Sequence, residues 1–152
     1  MKIDYKRLLF YIIITLFIGG IPSIFVYTNN IYDKLNKPPL SPPGILFPIV
    51  WTILFILMGI SIYRVSKYKS NYFNPNIIYF VQLIVNALWT PLFFGLNLYL
   101  ISAIWIVILI ILVIYMIISY YKYDSISGYL LIPYIIWLLF ALYLNIGIYI
   151  LN

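Results

Sequence analysis

Residues 99–121 read YLISAIWIVILIILVIYMIISYY, a run without a single charged side chain. A helix rises about 1.5 Å per residue and needs about 20 residues to cross roughly 30 Å of hydrocarbon, so this run can span a membrane once. Four more apolar runs of similar length occur at residues 8–27, 45–63, 77–96 and 129–151. The sequence therefore predicts a single domain over residues 1–152, an all-α integral membrane protein built as a five-transmembrane-helix bundle.

The composition supports a membrane location for the whole chain. Of its 152 residues, 66% are hydrophobic and 8% are charged, and the mean hydropathy is +1.09. A soluble domain has about a quarter charged residues, so the excess apolar surface here has to be covered by lipid. Sustained apolar and polar alternation, which a membrane β-barrel requires, is missing from the runs. Helices are favoured because they satisfy their own backbone groups in lipid.

Missing residue types exclude much of conventional enzyme chemistry. The sequence contains no Cys and no His, which removes thiolate nucleophiles and the commonest metal ligand and general base. The five runs also lack Asp, Glu, Lys and Arg, whereas ion-coupled transporters place such groups within their spans. Ion-coupled transport, a metal site and ordinary acid–base catalysis are therefore not expected.

The positive charges flank the apolar runs and indicate an orientation. One side of the predicted bundle receives Lys2, Lys6, Arg7, Arg64, Lys67, Lys69 and Lys122, and the other receives Lys34 and Lys37. The positive-inside rule then predicts a cytoplasmic N-terminus and an external C-terminus, in what the composition suggests is a bacterial cell membrane. The basic residues form no continuous face, so no nucleic acid partner is expected.

Two connections between the runs carry turn signals. Residues 77–121 are almost continuously apolar and are too long for one span, so a turn is expected near residues 95–97. Residues 28–44 read TNNIYDKLNKPPLSPPG, with four prolines within six positions. Prolines fix the backbone and resist helix formation, which predicts a stiff extended strap over the bundle mouth. Such a strap is either a lid or a rigid tether between two spans.

Three runs each carry a stripe of aromatic and polar side chains at helical spacing. The stripes are Pro48, Trp51, Thr52 and Phe55; Gln82, Asn86, Trp89 and Phe93; and Tyr134, Trp137, Ala141 and Asn145. Amides facing lipid are costly, so the stripes are expected to point inward. One interpretation is that they hydrogen-bond and pack neighbouring helices together. The other is that they line a cavity for an apolar ligand.

Three long segments resemble one family. The segments are KPPLSPPGILFPIVWTILFILMGISIYRV at residues 37–65, YFVQLIVNALWTPLFFGL at residues 79–96 and LIPYIIWLLFALYLNIGIYILN at residues 131–152. In this order they resemble the loop and second helix, the third helix and the fifth helix of the TspO/translocator protein family, also called the peripheral benzodiazepine receptor or tryptophan-rich sensory protein family. Three linked motifs make this a specific match.

The resemblance implies a five-helix fold, often a homodimer, with a pocket beneath the first loop that accepts porphyrins and, in animal members, cholesterol and synthetic drugs. By matching motif, the implied ligand-binding residues are Tyr32, Pro42, Trp51, Phe55, Asn86, Phe93, Trp137, Ala141 and Asn145. Trp51 and Trp137 match the tryptophans thought to serve porphyrin photochemistry in bacterial members. The chain departs from the family in having Ile31 and Leu40 where Trp is frequent, and no basic residue after Tyr149, where the cholesterol motif needs one.

The leading hypothesis is a membrane receptor or carrier for a porphyrin such as protoporphyrin, or for another hydrophobic small molecule, embedded in the lipid bilayer. Without His or Cys, a metal-free porphyrin is favoured over haem. One alternative is light-dependent porphyrin degradation in which Trp51 or Trp137 takes part. A second alternative is a helical scaffold without a ligand, which a sealed bundle would favour.

Overall fold

A computed structural model of the protein describes residues 3–27, 31–68 and 73–152. Across these ranges the chain forms seven α-helices and no β-strand. The helices are α1 (Tyr5–Tyr27), α2 (Ile31–Lys34), α3 (Leu46–Val65), α4 (Pro75–Thr90), α5 (Tyr99–Tyr123), α6 (Ser125–Tyr129) and α7 (Ile132–Leu151). A 3₁₀ turn, Ser66–Tyr68, continues α3, and a π-helical turn, Pro91–Gly95, continues α4.

Five segments of the described chain are long and apolar enough to cross a membrane. They comprise α1, α3 with its 3₁₀ turn, α4 with its π turn, α5, and α6 together with α7. The predicted fold class, an all-α bundle with five spans, is confirmed. The short helix α2 lies outside the spans.

The ends of the helices follow local sequence signals. At the start of α4, the Asn74 side chain accepts a hydrogen bond from the backbone N–H of Asn76, and Pro75 occupies the first turn. Asn is a preferred N-cap, and Pro is suited to the first turn because it lacks an N–H that would need a partner. Pro133 likewise occupies the first turn of α7. The predicted run 129–151 is therefore broken between α6 and α7.

The turn between α4 and α5 lies at residues 96–98. The Leu98 backbone N–H donates to the Leu92 carbonyl at 3.0 Å, which closes the turn. Asn97 has a φ of +54°, a left-handed conformation that Asn adopts more readily than most residues. This single residue reverses the chain direction between two spans.

The five spans pack as a ring in the order α1, α3, α6 with α7, α5, α4. Close backbone approach joins α1 to α3, where a Cβ on Gly59 would lie 2.7 Å from the Cα of Ile12. In contrast, α3 meets α7 through aromatic side chains, Trp51 with Tyr134 and Phe47 with Trp137. The ring thus has a tight side at α1 and α3 and an aromatic seam at α3 and α7.

The two ends of the ring differ in chemistry. Three elements lie at the loop end: helix α2, the C-terminal turn of α7 and the segment 35–45. Residues 35–45 are hereafter called the strap. The basic end is where α1 begins and where α3 and α5 finish. The prediction of an entirely extended 28–44 segment is wrong at residues 31–34, which form α2. Prolines begin only at Pro38, and the Lys37 ammonium donates to the Tyr32 carbonyl at 3.1 Å, which stabilises the helical turn. Residues 28–30 lie outside the described residues.

Candidate ligand pocket

A cavity opens at the loop end, between α2, the start of α3, the end of α4 with its π turn, and α7. It measures about 290 Å³ between its walls, including the part that is open to the outside. Its lining residues are Tyr32, Phe47, Trp89, Phe93, Phe94, Ala141, Leu144, Asn145 and Ile148. Five of these side chains are aromatic rings, three are aliphatic and one is a carboxamide, so the cavity suits a flat apolar ligand with few polar groups.

The aromatic walls are held by ring-to-ring contacts. On the α4 side, Trp89 stacks on Phe93 with ring centroids 5.2 Å apart, and Phe93 contacts Tyr99 at 5.1 Å. On the opposite side, Tyr32 meets Phe47 edge to face at 5.0 Å. Such pairs are stabilising beyond the apolar area they bury. They give the cavity two aromatic walls that belong to different parts of the chain.

Asn145 supplies the carboxamide of the cavity, and it is only 1% exposed. Its Oδ1 accepts hydrogen bonds from Trp89 Nε1 at 3.1 Å and from Ser102 Oγ at 3.0 Å, and its Nδ2 donates to the Tyr99 carbonyl at 2.7 Å. Asn145 therefore ties α7 to α4 and to the start of α5. Asn145 thus has both roles that the sequence analysis considered: it lines the cavity, and it hydrogen-bonds neighbouring helices together.

Asn86 lies outside the cavity, in a second polar network. Its Nδ2 donates to the Tyr134 hydroxyl at 2.7 Å, and that hydroxyl donates to Gln82 Oε1 at 3.0 Å. The Gln82 Nε2 is 3.7 Å from the sulfur of Met58. Asn86, Gln82 and Tyr134 are all buried. In this structure Asn86 joins α4 to α7 and does not face the cavity.

Trp51 and Trp137 form the aromatic seam between α3 and α7, next to the cavity. Trp51 stacks on Phe55 at 5.3 Å, and Trp137 contacts Phe47 at 5.8 Å. Because Phe47 also lines the cavity, Trp137 lies directly behind the cavity wall. Among the described residues, Nε1 of Trp137 is buried without a hydrogen-bond partner. An unsatisfied buried donor costs roughly 1–3 kcal/mol, and an acceptor that reached it would recover this cost.

Tyr32 connects the cavity to the strap above it. Its hydroxyl donates to the Pro42 carbonyl at 3.0 Å, and the Lys37 ammonium lies 4.7 Å above its ring. Burial raises the pKa of the Tyr32 phenol, which a hydrogen bond with Ser41 partly opposes. The phenol is therefore a neutral donor at pH 7, and Pro42 is held over it.

The strap is fastened to the end of α7 by several contacts. The Asn36 backbone N–H donates to Asn152 Oδ1 at 3.0 Å, and Asn152 Nδ2 donates back to the Asn36 carbonyl at 2.9 Å. The Tyr143 hydroxyl donates to the Pro39 carbonyl at 2.7 Å. The strap is therefore attached to α7 at Tyr143 and Asn152.

The nine residues expected at the pocket separate into three groups. Those that line the cavity are Tyr32, Phe93, Ala141 and Asn145. Four others do not line it: Pro42, whose carbonyl accepts from Tyr32, and Trp51, Phe55 and Trp137. Asn86 belongs to the network with Gln82 and Tyr134.

The cavity also has lining residues that were not expected. Leu144 and Ile148 follow Ala141 by three and seven positions on α7, so helical spacing could have identified them. Trp89 was part of a predicted stripe but was not assigned to the pocket. Phe47 and Phe94 carry no sequence signal that separates them from other apolar positions.

Comparison with known proteins identifies the family. The sequence profile of the TspO/MBR family matches residues 10–151. The chain belongs to the TspO/MBR family. This confirms the resemblance found in the three motifs. Family membership and the five apolar helices together make the chain a multi-pass integral membrane protein.

Relatives of the TspO/MBR family come from distant organisms. The chain is 39% identical over 124 residues to the tryptophan-rich protein TspO of Chlorobaculum tepidum, covering 80% of this chain and 78% of that protein. It is 38% identical over 126 residues to the protein CrtK of Rhodobacter capsulatus, with 80% and 78% covered. The translocator protein of Homo sapiens is 29% identical over 133 residues, with 81% and 76% covered.

Proposed function

We propose that the chain is a membrane receptor or carrier that binds a hydrophobic tetrapyrrole, such as metal-free protoporphyrin, in the cavity beneath the strap. The observation that carries this proposal is the cavity itself, with two aromatic walls and one carboxamide at the loop end of the bundle. Flat aromatic walls stack favourably on a flat conjugated ring. A scaffold protein without a ligand would not require such a cavity.

The mouth of the cavity offers positive charge where a porphyrin carries carboxylates. Lys37 lies over the Tyr32 ring, and Tyr32 lines the cavity. A propionate side chain that leaves the cavity beside Tyr32 would therefore meet an ammonium group. The apolar macrocycle would lie inside, and its charged groups would point toward the headgroups, as expected for an amphipathic ligand.

The size of the cavity indicates that binding requires movement. The walls leave only about 20 Å³ that a water-sized molecule could occupy, far less than the roughly 300–1,000 Å³ of ligand pockets. A porphyrin therefore needs a displacement of the strap or of the Phe47 wall. Because Phe47 contacts Trp137, displacing Phe47 would open a path from the ligand to the unpartnered Trp137 N–H.

Filling the cavity tests this proposal. Ala141 lines the cavity, and Ala141→Phe would place a ring in the space that the macrocycle needs. The purified protein in detergent is titrated with protoporphyrin, and binding is followed by the porphyrin's own absorption band. We expect at least a tenfold loss of affinity, since excluding one ring contact costs about 1.4 kcal/mol or more.

The matched control is Ile136→Phe, which adds a ring to the exposed face of the same helix. This variant should bind protoporphyrin as the wild type does. Wild-type affinity in a folded Ala141→Phe variant would contradict the proposed pocket. An equal loss in both variants would also contradict it, because the effect would then not depend on the cavity.

A further inference from the structure

The basic end of the bundle carries an excess of positive charge. Its described cations are Lys6, Arg7, Arg64, Lys67 and Lys122, and its carboxylates are Asp4 and Asp124. The only other carboxylate side chain in the sequence, Asp33, belongs to α2 at the loop end. Five cations against two carboxylates leave an excess of three positive charges, whichever pairs form.

Both carboxylates of the basic end have structural partners. Asp124 receives two hydrogen bonds from Arg64, at 2.7 and 3.1 Å, and one from Ser127 at 3.0 Å. Asp4 accepts the backbone N–H of Arg7 at 3.1 Å and so caps the start of α1. Arg64 and Asp124 therefore compensate each other's charge.

Contacts between α1 and the 3₁₀ turn bring two of these cations together. Nη2 of Arg7 donates to the Ser66 carbonyl at 3.3 Å, and Lys67 is the next residue in the turn. A guanidinium has five N–H donors, so a single carbonyl bond leaves it able to bind an anion. Both Arg7 and Lys67 are exposed.

Aromatic contacts bring the end of α5 to the same place. The Tyr68 ring, which lies 4.9 Å below the Lys67 ammonium, is 6.1 Å from the ring of Tyr123. Lys122 precedes Tyr123 and is exposed. Lys67 therefore lies over one of two contacting tyrosines, and Lys122 directly precedes the other tyrosine in the chain.

The two tyrosines mark the depth of this surface in the membrane. Tyr68 is 38% exposed and Tyr123 is 41% exposed, and tyrosines of this kind occupy the headgroup layer of a bilayer. Below them, the outer faces of α1 and α5 are apolar, for example at Phe10 and Ile118. The surface therefore combines exposed cations at headgroup depth with an adjoining path for acyl chains.

We propose that Arg7, Lys67 and Lys122 bind the phosphodiester headgroup of an anionic membrane lipid at the basic end. The guanidinium and the two ammonium groups contact the phosphate, while the acyl chains lie along the exposed apolar face of α1 at Phe10. Basic residues beside a membrane span attract anionic lipid, by roughly fivefold in affinity for each charge. This lipid site lies at the opposite end of the bundle from the cavity and does not depend on a porphyrin ligand.

Native mass spectrometry of the detergent-solubilised protein tests the lipid site. The protein is titrated with phosphatidylglycerol and, separately, with phosphatidylcholine of the same acyl chains. We expect the wild type to bind phosphatidylglycerol in preference. The Lys67→Gln/Lys122→Gln variant should bind it roughly 25-fold more weakly, at about fivefold for each lost charge. The arginine contact to Ser66 is left intact in this variant.

Three controls keep the result specific. Lys34→Gln/Lys37→Gln removes the same charge from the loop end and should leave phosphatidylglycerol binding unchanged. Lys67→Arg/Lys122→Arg keeps the charge and should retain binding, which separates lost contact from lost folding. Glycerol phosphate, added at the same concentration as the lipid, should not displace it.

The proposal is overturned if the Lys67→Gln/Lys122→Gln variant binds phosphatidylglycerol as tightly as the wild type. Equal losses in the basic-end and loop-end variants would overturn it as well, because the effect would then reflect net charge alone. Full displacement by glycerol phosphate would show a site for soluble phosphate in place of lipid.

Discussion

Pro38 of the strap packs into a notch that Gly147 leaves in the surface of α7. A Cβ added to Gly147 would lie 2.5 Å from Cγ and 2.6 Å from Cβ of Pro38. These distances are far below van der Waals contact, and a proline ring has little freedom to move away. The position of the strap above the cavity therefore depends on the missing side chain at Gly147.

Gly147→Ala should displace the strap while leaving the bundle folded. Overpacking of this kind costs about 1–3 kcal/mol, and the exposed hydrogen bonds between Asn36 and Asn152 are the contacts that yield most easily. We expect severalfold faster tryptic cleavage after Lys34, with an unchanged helical circular dichroism spectrum. Gly20→Ala is the control, because a Cβ there meets nothing within 4 Å. Equal cleavage rates in the two variants would show that the notch does not hold the strap.

Gly59→Ala should destabilise the packing of α1 against α3. The added Cβ would lie 2.7 Å from the Cα of Ile12 and 3.0 Å from its backbone N, so the two helices must separate. Small residues allow such close approach in membrane helices. We expect the free energy of unfolding in detergent to fall by about 1–3 kcal/mol. Gly20→Ala again serves as the control, and a similar fall in both variants would attribute the effect to glycine replacement in general.

Asn145→Leu should weaken the connection among α4, α5 and α7. The substitution removes the acceptor for Trp89 and Ser102 and the donor to the Tyr99 carbonyl. Interhelical hydrogen bonds in membranes contribute about 0.6–2 kcal/mol each, so a loss of about 2–4 kcal/mol is expected. Thermal unfolding measures it, with Ile146→Leu on the exposed face of α7 as control. A stability equal to the control would mean that the network contributes nothing.

Asp124→Asn should lower stability at neutral pH and change its acid dependence. Burial alone would raise the pKa of the Asp124 carboxyl, but hydrogen bonds from Arg64 and Ser127 and the guanidinium charge bring it below 3.8. A carboxyl whose pKa is lower in the folded state stabilises the fold fully above its unfolded pKa. That contribution disappears as the pH falls below about 3.8 toward the folded pKa.

Unfolding followed from pH 7 to pH 2 measures this contribution. At pH 7 the variant should be about 1–3 kcal/mol less stable than the wild type, because its bonds to a charged partner are lost. The difference should shrink below pH 3.8. Asp33→Asn, which removes an exposed carboxylate from α2, is the control. A difference that stays constant across the acid range would assign the loss to geometry and not to charge.

The fold class could be predicted because the signals for a membrane span are local. The apolar run at residues 99–121 predicts a span from its own length, and the structure places α5 at Tyr99–Tyr123. Likewise, the length of the apolar run at residues 77–121 predicted the turn between α4 and α5 without reference to other helices. Helix α2 was missed because its stabilising contact comes from Lys37, a residue that lies beyond the helix.

The candidate site was predictable only to the level of helix faces. Helical spacing placed Ala141 and Asn145 on one face of α7, and both line the cavity. The same reasoning placed Asn86 on an inward face. It could not tell whether the Asn86 side chain lines a cavity or hydrogen-bonds to a neighbouring helix, as it does to the Tyr134 hydroxyl. The position of each residue along the bundle axis depends on how far each helix is shifted along that axis relative to its neighbours. The sequence alone does not determine these shifts.

By itself, the sequence determined the spans, their number and the unequal charge of the two ends, because apolar length and flanking charge are properties of continuous segments. Only the tertiary structure decided that Asn86 bonds to Tyr134, that Pro38 fits against Gly147 and that Arg7 reaches Ser66. Each of these pairs joins residues far apart in the chain. Their contact is set by the rotation and offset of whole helices against each other, which emerge only when the ring closes.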